Sequence, residues 1–376
     1  MSNLSNMLTP EELSRYARHL NLPDFGMEAQ LRLKQARVLV VGAGGLGSPL
    51  LLYLAAAGVG HIGIVEYDKV DESNLQRQVL YSTADIGKSK AVVARKRLLE
   101  INPHIDVKIY EVAITRLNAL EIIEQYDVVA DGTDNFPTRY LVNDACVLTG
   151  KPNVYASIFR YEGQLSVFNL PEADGSFSPN YRDLYPQPPA PDAVPNCAEG
   201  GVLGVLPGIL GSMQANEVIK IVAGIGKPLA GRLCLVDTAD FTMRKIKYFK
   251  RPEVVIDRLI DYEAFCAGPT KTDDMSTIKN MNVKNLKQQM DNGENITLID
   301  VREAHEREAF NIGGLHIPMG EIPAHANEVP DEGTVVVYCR SGVRSANVIA
   351  FLQQHHGFDN LYNLEGGMVA WQDDHK

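Results

Sequence analysis

The chain has few of the features that mark a secreted, membrane-bound or disulfide-stabilised protein. Its first residues, M-S-N-L-S-N-M-L-T-P-E-E-L, contain no basic stretch followed by an apolar run, so we expect no secretory signal. The most apolar region, 201–225, is interrupted by glycine and by polar residues, which predicts a buried helix and no membrane span. The 5 cysteines are odd in number and include no C-x-x-C pair, so we expect free thiols and a cytoplasmic location.

An excess of positive charge is also lacking. The formal net charge of −11 disfavours a broad nucleic-acid-binding face, and we expect no nucleic-acid partner. With 45% hydrophobic and 22% charged residues, the composition is that of an ordinary globular protein. A length of 376 residues is long for a single hydrophobic core, so two domains are expected.

The hydrophobic pattern alternates between strands and helices from about residue 31 to residue 150. This alternation predicts a Rossmann-like, parallel, doubly wound α/β domain, which we place over residues 1–250. Residues 171–195 are rich in proline and are expected to form a long loop. A linker is predicted over 251–277, followed by a second, smaller α/β domain over 278–376.

A glycine-rich loop lies between the first strand and the first helix of this pattern. The candidate nucleotide-binding residues are the loop glycines and two acidic residues that end the next strand: Gly42, Gly44, Gly45, Gly47, Glu66 and Asp68. Glycines let the backbone approach a phosphate, a helix N-terminus attracts its charge, and an acidic residue can bind ribose hydroxyls. This pattern alone is compatible with NAD, FAD or ATP.

Charged residues further along the chain distinguish among these nucleotides. Arg77 and Lys90 follow the loop, and Asp134 lies in the segment D-G-T-D-N at 131–135. Adenylation needs cations near the phosphates because the α-phosphate gains charge as pyrophosphate leaves, whereas hydride transfer needs none there. Asp134 is a candidate ligand of Mg²⁺, which binds few carboxylates together with phosphate oxygens. The pattern therefore favours ATP and Mg²⁺.

Six motifs occur in a set order over roughly residues 10–250: R-Y-A-R-H, G-A-G-G-L-G, D-x-V-x-x-S-N-L-Q-R-Q, G-K-S-K, I-N-P-H and D-G-T-D-N. This order resembles the bacterial ubiquitin-activating-type adenylyltransferases, which activate the small sulfur-carrier proteins of molybdopterin and thiamine biosynthesis. The resemblance implies an ATP site lined by Gly44, Glu66, Asn74, Arg77, Lys90 and Asp134. It also implies that Arg18 reaches the ATP of a second subunit, and therefore that the protein is a homodimer.

The chain departs from that family at the positions of a structural zinc. Family members commonly carry two C-x-x-C pairs, but the first is replaced here by Asn180-Tyr181-Arg182-Asp183 and only Cys266 remains near the second. We therefore expect no zinc. Cys197, at the end of the proline-rich loop, aligns with a cysteine that some relatives use covalently and others do not. A covalent role and a buried thiol are both compatible with it.

A second reactive loop, C-R-S-G-V-R-S, begins at Cys339 between a predicted strand and a predicted helix. Backbone amides, Arg340, Arg344 and the helix N-terminus are expected to favour the thiolate form of this cysteine. Four residues separate Cys339 from Arg344, one fewer than a phosphatase loop needs to encircle a phosphate. The tighter loop suits a persulfide sulfur.

The sequence around this loop resembles a rhodanese domain across about 278–376. The matching segments are I-D-V-R-E, F-N-I-G-G-L-H-I-P and L-E-G-G-M-V-A-W. Asp300 and Arg302, in the first of them, are expected to brace the loop without taking part in the chemistry.

The fused order resembles the adenylyltransferase–sulfurtransferase enzymes. That resemblance implies ATP-dependent adenylation of a ubiquitin-like, Gly-Gly-ended sulfur-carrier protein, followed by transfer of sulfur from a Cys339 persulfide. Catalytic roles are expected for Cys339, Cys197, Arg77, Arg18, Arg340 and Arg344, with a cysteine desulfurase or thiosulfate as the sulfur donor. Two alternatives remain open: an NAD-dependent oxidoreductase with an appended sulfurtransferase, and a non-enzymatic scaffold that binds a carrier.

Overall fold

The computed structural model describes residues 7–189, 201–266 and 278–373. Contacts divide the chain into two compact units, Met1–Gly268 and Pro269–Lys376. Within the described residues, none of the helices combines the length and the apolar character that a bilayer span requires. Each unit is built on one β-sheet with helices packed against it.

The first unit contains ten described helices and eight strands. The helices are α1 (Pro10–Arg15), α2 (Ala17–Leu20), α3 (Gly26–Gln35), α4 (Gly47–Ala57), α5 (Lys90–Ile101), α6 (Ala119–Glu124), α7 (Phe136–Thr149), α8 (Tyr181–Leu184), α9 (Val205–Ala223) and α10 (Tyr262–Cys266). The strands are β1 (Arg37–Val41), β2 (His61–Val65), β3 (Asp106–Tyr110), β4 (Val128–Asp131), β5 (Asn153–Phe159), β6 (Glu162–Phe168), β7 (Arg232–Asp237) and β8 (Thr242–Lys247).

The strands of the first unit form one sheet in the order β3-β2-β1-β4-β5-β6-β7-β8. The first five in this order are parallel, as the strand–helix alternation predicts. Their order reverses between β1 and β4, so a crevice opens beyond the carboxyl ends of these two strands. In open α/β sheets this reversal point is where ligands bind. Apolar side chains cover both faces of the sheet, in two buried clusters.

The last three strands of this sheet differ from the all-parallel prediction. β6, β7 and β8 each run antiparallel to the preceding strand. Only Arg160 and Tyr161 separate β5 from β6, and a connection of that length permits a hairpin but no crossover helix. Every residue of β8 is exposed, so this strand forms a solvated outer edge of the sheet.

Residues 251–266, predicted as part of the linker, pack on the first unit. The Arg251 backbone amide donates to Asp183 Oδ1 at 2.7 Å, and the Tyr262 hydroxyl donates to Asp144 Oδ2 at 2.8 Å. Helix α10 lies against α7, where the rings of Phe265 and Tyr140 meet edge to face. The described part of the predicted linker therefore belongs to the first unit.

The second unit contains five strands and five described helices. The helices are α11 (Val283–Asp291), α12 (Ala304–Ala309), α13 (Ile322–His325), α14 (Val343–His356) and α15 (Gly367–Asp373). The strands are β9 (Lys279–Met281), β10 (Ile296–Asp300), β11 (Leu315–His316), β12 (Thr334–Tyr338) and β13 (Leu361–Leu364), arranged in the order β11-β10-β12-β13-β9. All neighbouring pairs are parallel, and β12 at the centre is almost fully buried.

Candidate active sites

The glycine loop connects β1 to α4 at the carboxyl end of the parallel strands. Gly42 has a φ of +91°, a conformation that strains any residue with a side chain. A Cβ on Gly47 would overlap the Gly42 carbonyl oxygen, so α4 approaches the loop this closely only because position 47 is glycine. The N-terminus of an 11-residue helix next to a glycine loop is the kind of position at which a phosphate binds.

The end of β2 and a nearby tyrosine hold the loop in place. The two Glu66 carboxylate oxygens accept hydrogen bonds from the Ala43 and Asp68 backbone amides, at 3.0 and 2.9 Å. The Tyr81 hydroxyl donates to the Ala43 carbonyl at 2.8 Å. Burial raises the pKa of Tyr81, so this hydroxyl keeps its proton. Glu66 therefore stabilises the glycine loop, a role additional to the ribose binding that the sequence predicts for it.

Lys90 and Asp68 form an ion pair beside the loop. The Lys90 ammonium lies 3.2 Å from Asp68 Oδ2, and its side chain is only 6% exposed whereas that of Asp68 is 53% exposed. The Lys90 amide also donates to the Asp68 carbonyl. Asp68 therefore holds the Lys90 ammonium beside the end of β2, at the same end of the sheet as the glycine loop.

Asn74 and Arg77 belong to a turn that follows β2. Asn74 ends a 3₁₀ turn, and its carbonyl accepts hydrogen bonds from the Arg77 and Gln78 amides. The Arg77 guanidinium donates to the Ser73 carbonyl at 3.0 Å and stays partly exposed. The Gln78 side chain lies 3.5 Å from the position of a Cβ on Gly44, which brings this turn against the glycine loop.

Asp134 is exposed in the loop that follows β4, on the other side of the reversal point from β2. Its negative charge acts on Tyr67, together with Asp68 and Glu66, and raises the Tyr67 pKa, with Asp68 the largest contributor. The acidic groups that follow β2 and β4 thus lie near enough to act on the same side chain. An exposed carboxylate at this position is an oxygen ligand of the kind that Mg²⁺ prefers.

Two buried charged residues beneath this loop were missed by sequence reasoning. Asp131 is fully buried, and its Oδ1 accepts hydrogen bonds from the Thr133 amide and hydroxyl. Arg139, on α7, donates to the Thr133 carbonyl at 3.2 Å and lies over the Tyr155 ring. Burial raises the pKa of Asp131, while Arg139 opposes that effect. A charged residue in the apolar pattern of α7 was the available signal.

The structure does not bring Arg18 to the glycine loop of its own chain. Arg18 is exposed on α2. Its neighbour Tyr16 packs on Gly58, which caps the C-terminus of α4, whereas the glycine loop lies at the N-terminus of that helix. An 11-residue helix is about 16 Å long. Within its own chain, the segment that contains Arg18 thus packs at the end of α4 opposite the glycine loop.

At residues 180–183, where the first pair of zinc-binding cysteines is replaced, the side chains make polar and aromatic contacts. Arg182 donates two hydrogen bonds to Asp144, at 2.8 and 2.7 Å, and its guanidinium lies 4.5 Å from the centre of the Phe265 ring. Asn180 caps the N-terminus of α8. Within residues 7–189, 201–266 and 278–373 we find no group of three or more His, Cys, Asp or Glu side chains that could hold a metal. Cys197 lies outside the described residues.

Cys339 follows β12 and precedes α14, as the sequence predicts. It is 1% exposed, and its sulfur accepts a hydrogen bond from the Gly342 amide at 3.2 Å. Gly342 has a φ of +90°, which turns that amide toward the sulfur. The Ser345 hydroxyl lies 3.4 Å from the same sulfur. The sulfur of Cys339 is therefore enclosed by hydrogen-bond donors at the N-terminus of a helix.

The two arginines of this loop have different surroundings. Arg340 is exposed. Arg344 donates two hydrogen bonds to the Glu306 carboxylate on α12, at 2.8 and 2.7 Å. The hydrogen bond from Arg344 holds the pKa of Glu306 at about 2. Arg344 thus joins the loop to α12, an arrangement that the spacing in the sequence did not reveal.

Replacing Glu306 with glutamine is expected to destabilise the second unit by about 1–3 kcal/mol at pH 7, because a charged, partly buried hydrogen-bonded pair is lost. The pKa of Glu306 is lowered from 4.5 to about 2, so its stabilising effect is complete above about pH 4.5 and disappears toward pH 2. The difference between variant and wild type should shrink over that interval. The chain has 1 tryptophan, Trp371, buried in the second unit, so its fluorescence during urea unfolding reports this unit. A difference that is constant from pH 7 to pH 3 would contradict the assignment.

Asp300 and Arg302 form a buried pair that braces the same region. Arg302 donates to both Asp300 oxygens, at 2.9 and 2.7 Å, and to the Phe310 carbonyl at 2.8 Å. Its guanidinium lies 5.5 Å from the centre of the Tyr338 ring, next to Cys339 in the chain. The pair therefore fixes the end of β12 from which the reactive loop begins.

Two family models match the chain: the ThiF family over residues 16–255 and a rhodanese-like domain over residues 282–374. The chain belongs to the ThiF family. The probable adenylyltransferase/sulfurtransferase MoeZ of Mycobacterium tuberculosis is 48% identical over 373 residues, covering 98% of this chain and 94% of that protein. A sulfur carrier protein adenylyltransferase of Thermus thermophilus is 54% identical over 265 residues, covering 69% of this chain and 98% of that protein.

Relatives that share both regions extend to insects. The adenylyltransferase and sulfurtransferase MOCS3 of Drosophila yakuba is 40% identical over 385 residues, covering 97% of this ThiF-family chain and 84% of that protein. Among solved structures, E. coli MccB with AMPCPP and MccA matches with a TM-score of 0.55 at 22% identity, over 64% of this chain and 73% of that chain. At that identity the match shows the fold alone.

Proposed function

We propose that this protein adenylates the C-terminal glycine of a ubiquitin-like sulfur-carrier protein and then replaces AMP with sulfur from Cys339. The observation that carries the proposal is the convergence at one sheet edge of the glycine loop, the Lys90–Asp68 pair and Asp134, in a chain that also holds the enclosed Cys339 sulfur. The names of the relatives from Mycobacterium and Thermus support both activities. MccB, which shares the fold, has been solved with ATP.

In the adenylation step, a carboxylate oxygen of the carrier attacks the α-phosphorus of ATP and pyrophosphate leaves. Lys90 and Arg77 are suited to neutralise the charge that accumulates on the phosphates. Asp134 would hold Mg²⁺, which shields the negative phosphates when it is bound. Arg18 would come from the second subunit of a homodimer, because in its own chain it lies beyond the far end of α4.

In the sulfur-transfer step, the terminal sulfur of a Cys339 persulfide attacks the carbonyl carbon of the acyl-adenylate, and AMP leaves with the former carboxylate oxygen. An acyl disulfide joins the carrier to Cys339. A second thiol, for which Cys197 is the candidate, attacks the Cys339 sulfur and releases the carrier thiocarboxylate, leaving a disulfide that an external thiol reduces. A cysteine desulfurase or thiosulfate supplies the persulfide. Both steps belong to the cytoplasm, where thiols stay reduced.

The proposal is tested by screening carrier-dependent ATP–pyrophosphate exchange against each small Gly-Gly-ended protein of the source genome. The carrier that stimulates exchange is then incubated with enzyme, ATP, Mg²⁺ and thiosulfate and weighed. We expect the mass of that carrier to increase by the difference between one sulfur and one oxygen atom. A carrier thiocarboxylate of this kind feeds molybdopterin, thiamine, cysteine or tRNA thiolation pathways. Nicotinamide binding without any carrier-dependent exchange would contradict the proposal and favour the oxidoreductase alternative.

A further inference from the structure

A row of three polar side chains leads from the Cys339 sulfur to the surface of the second unit. The Ser345 hydroxyl lies 3.4 Å from Cys339 Sγ and donates to Asn363 Oδ1 at 2.7 Å. The Asn363 amide nitrogen donates to Asn280 Oδ1 at 3.0 Å. Ser345 is completely buried and Asn363 is 7% exposed, whereas Asn280 is exposed. A buried polar group costs free energy when its hydrogen-bond partner is lost. A buried row of this kind therefore indicates that these side chains meet a specific structural or functional requirement.

The fold fixes the geometry of this row. Ser345 lies in the first turn of α14, and Asn363 lies on β13, the strand that pairs with β12 ahead of Cys339. Asn363 is also paired with Asn280 in the register of β13 and β9. Asn280 therefore holds the amide nitrogen of Asn363, which directs its carbonyl oxygen toward Ser345.

The Ser345 hydroxyl has one proton and two neighbours that can accept it. While Cys339 is a thiol, the hydroxyl donates to Asn363 Oδ1, and a lone pair of Ser345 Oγ accepts the thiol proton. When Cys339 is a thiolate, its sulfur is the stronger acceptor because hydrogen bonds to ionised groups are about twice as strong as neutral ones. A rotation about one side-chain bond then moves the Ser345 proton from Asn363 to the sulfur.

We propose that Ser345 is a catalytic hydrogen-bond donor to the Cys339 thiolate and that Asn363 is a positioning residue that competes for its proton. The inference rests on the proposed function, in which Cys339 carries sulfur. It concerns Cys339 Sγ, which is the nucleophile when a sulfur donor is attacked and the leaving atom when the final disulfide is reduced by an external thiol. The thiol proton itself passes to solvent, and neither Ser345 nor Asn363 gains or loses a proton.

The test is the pH profile of Cys339 alkylation by iodoacetamide in the full-length protein, read by mass spectrometry of the peptide that contains Cys339. With Ser345→Ala, the midpoint should rise by about one pH unit, and alkylation below the midpoint should slow about tenfold, because the thiolate loses a donor. Ser345→Thr keeps the hydroxyl and should restore most of the rate. An unchanged midpoint in Ser345→Ala would overturn the proposal.

Asn363→Leu supplies a result of opposite sign. It removes the competing acceptor at similar volume, so the Ser345 proton is left to the sulfur and the midpoint should move to lower pH. Thr297→Val, which removes a hydroxyl from β10 of the same sheet, should show the wild-type profile. A midpoint that rises in Asn363→Leu as it does in Ser345→Ala would show that both residues act only by packing, and would also overturn the proposal.

Two further measurements distinguish an effect on the Cys339 thiolate from a loss of folding and from a failure of the proposed function. Trp371 fluorescence during urea unfolding verifies that each variant keeps a folded second unit, and if Asn363→Leu unfolds, Asn363→Asp replaces it. A carboxylate at 363 is a stronger acceptor, so this variant should raise the midpoint, and a lower midpoint would count against the proposal. Alkylation needs neither ATP nor carrier, so the predicted shifts of the alkylation midpoint do not depend on whether the carrier is thiolated. Conversely, a midpoint that is the same in the variants and in wild type would overturn the role of Ser345 without contradicting the proposed function.

Discussion

Cys339→Ala is expected to abolish the sulfur gain of the carrier while ATP–pyrophosphate exchange stays within about twofold of wild type. The two chemistries lie in separate units, and removal of one sulfur atom from the second unit leaves the glycine loop, Lys90 and Asp134 unchanged. Loss of a covalent nucleophile typically removes the whole rate enhancement of its step. The carrier should then accumulate as acyl-adenylate, which hydroxylamine traps as a hydroxamate that is visible by mass.

Cys266→Ala is the matched control because Cys266 is a free, half-buried thiol of the first unit. It should support normal sulfur transfer. If Cys339→Ala still produced thiocarboxylate, the persulfide would have to be carried elsewhere, and the second unit would serve only to bind a partner. If it abolished exchange as well, the two activities would be coupled more closely than the proposed order of steps allows.

Lys90→Met is expected to slow ATP–pyrophosphate exchange by about 10²–10³-fold, the usual cost of removing one preorganised charge from a transition state. The Lys90 ammonium is almost fully buried and is held by Asp68 at 3.2 Å, so its position is fixed before ATP binds. Methionine keeps the length of the aliphatic chain and removes only the charge. The sulfur gain of the carrier should fall by the same factor because it depends on the adenylate.

Lys88→Met is the control for this substitution. Lys88 is two residues away and carries the same charge, but its side chain is 58% exposed and pairs with Asp85. We expect exchange within about twofold of wild type. Equal losses in both variants would indicate a general effect of net charge on ATP binding, and an unimpaired Lys90→Met enzyme would remove Lys90 from the adenylation site.

The sequence predicts the fold of this protein well where local pattern and topology agree. The strand Thr334–Tyr338 before Cys339 and the helix Val343–His356 after it lie where the sequence predicts a strand and a helix. The antiparallel direction of β6–β8 was missed because the direction of a strand depends on its partner, and an apolar segment such as 233–237 has the same pattern in either direction.

The candidate sites were predictable as segments and less so as individual contacts. Each glycine-loop or cysteine-loop residue is identified by spacing along the chain. The bond between Arg344 and Glu306 joins residues 38 positions apart, and the pair of Ser345 with Asn363 joins residues 18 apart. Such pairs are set by tertiary packing, and a single sequence contains no periodicity from which they can be inferred.

The solvated outer strand β8 is an unpaired edge at which copies of this protein could associate. A free strand edge is a template on which another β-strand can hydrogen-bond. In β8, Arg244, Lys245 and Lys247 occupy three of six exposed positions, so two copies brought edge to edge would place cations against cations. Like charges in that arrangement repel. The charges of β8 therefore disfavour pairing of two copies along this edge of the sheet.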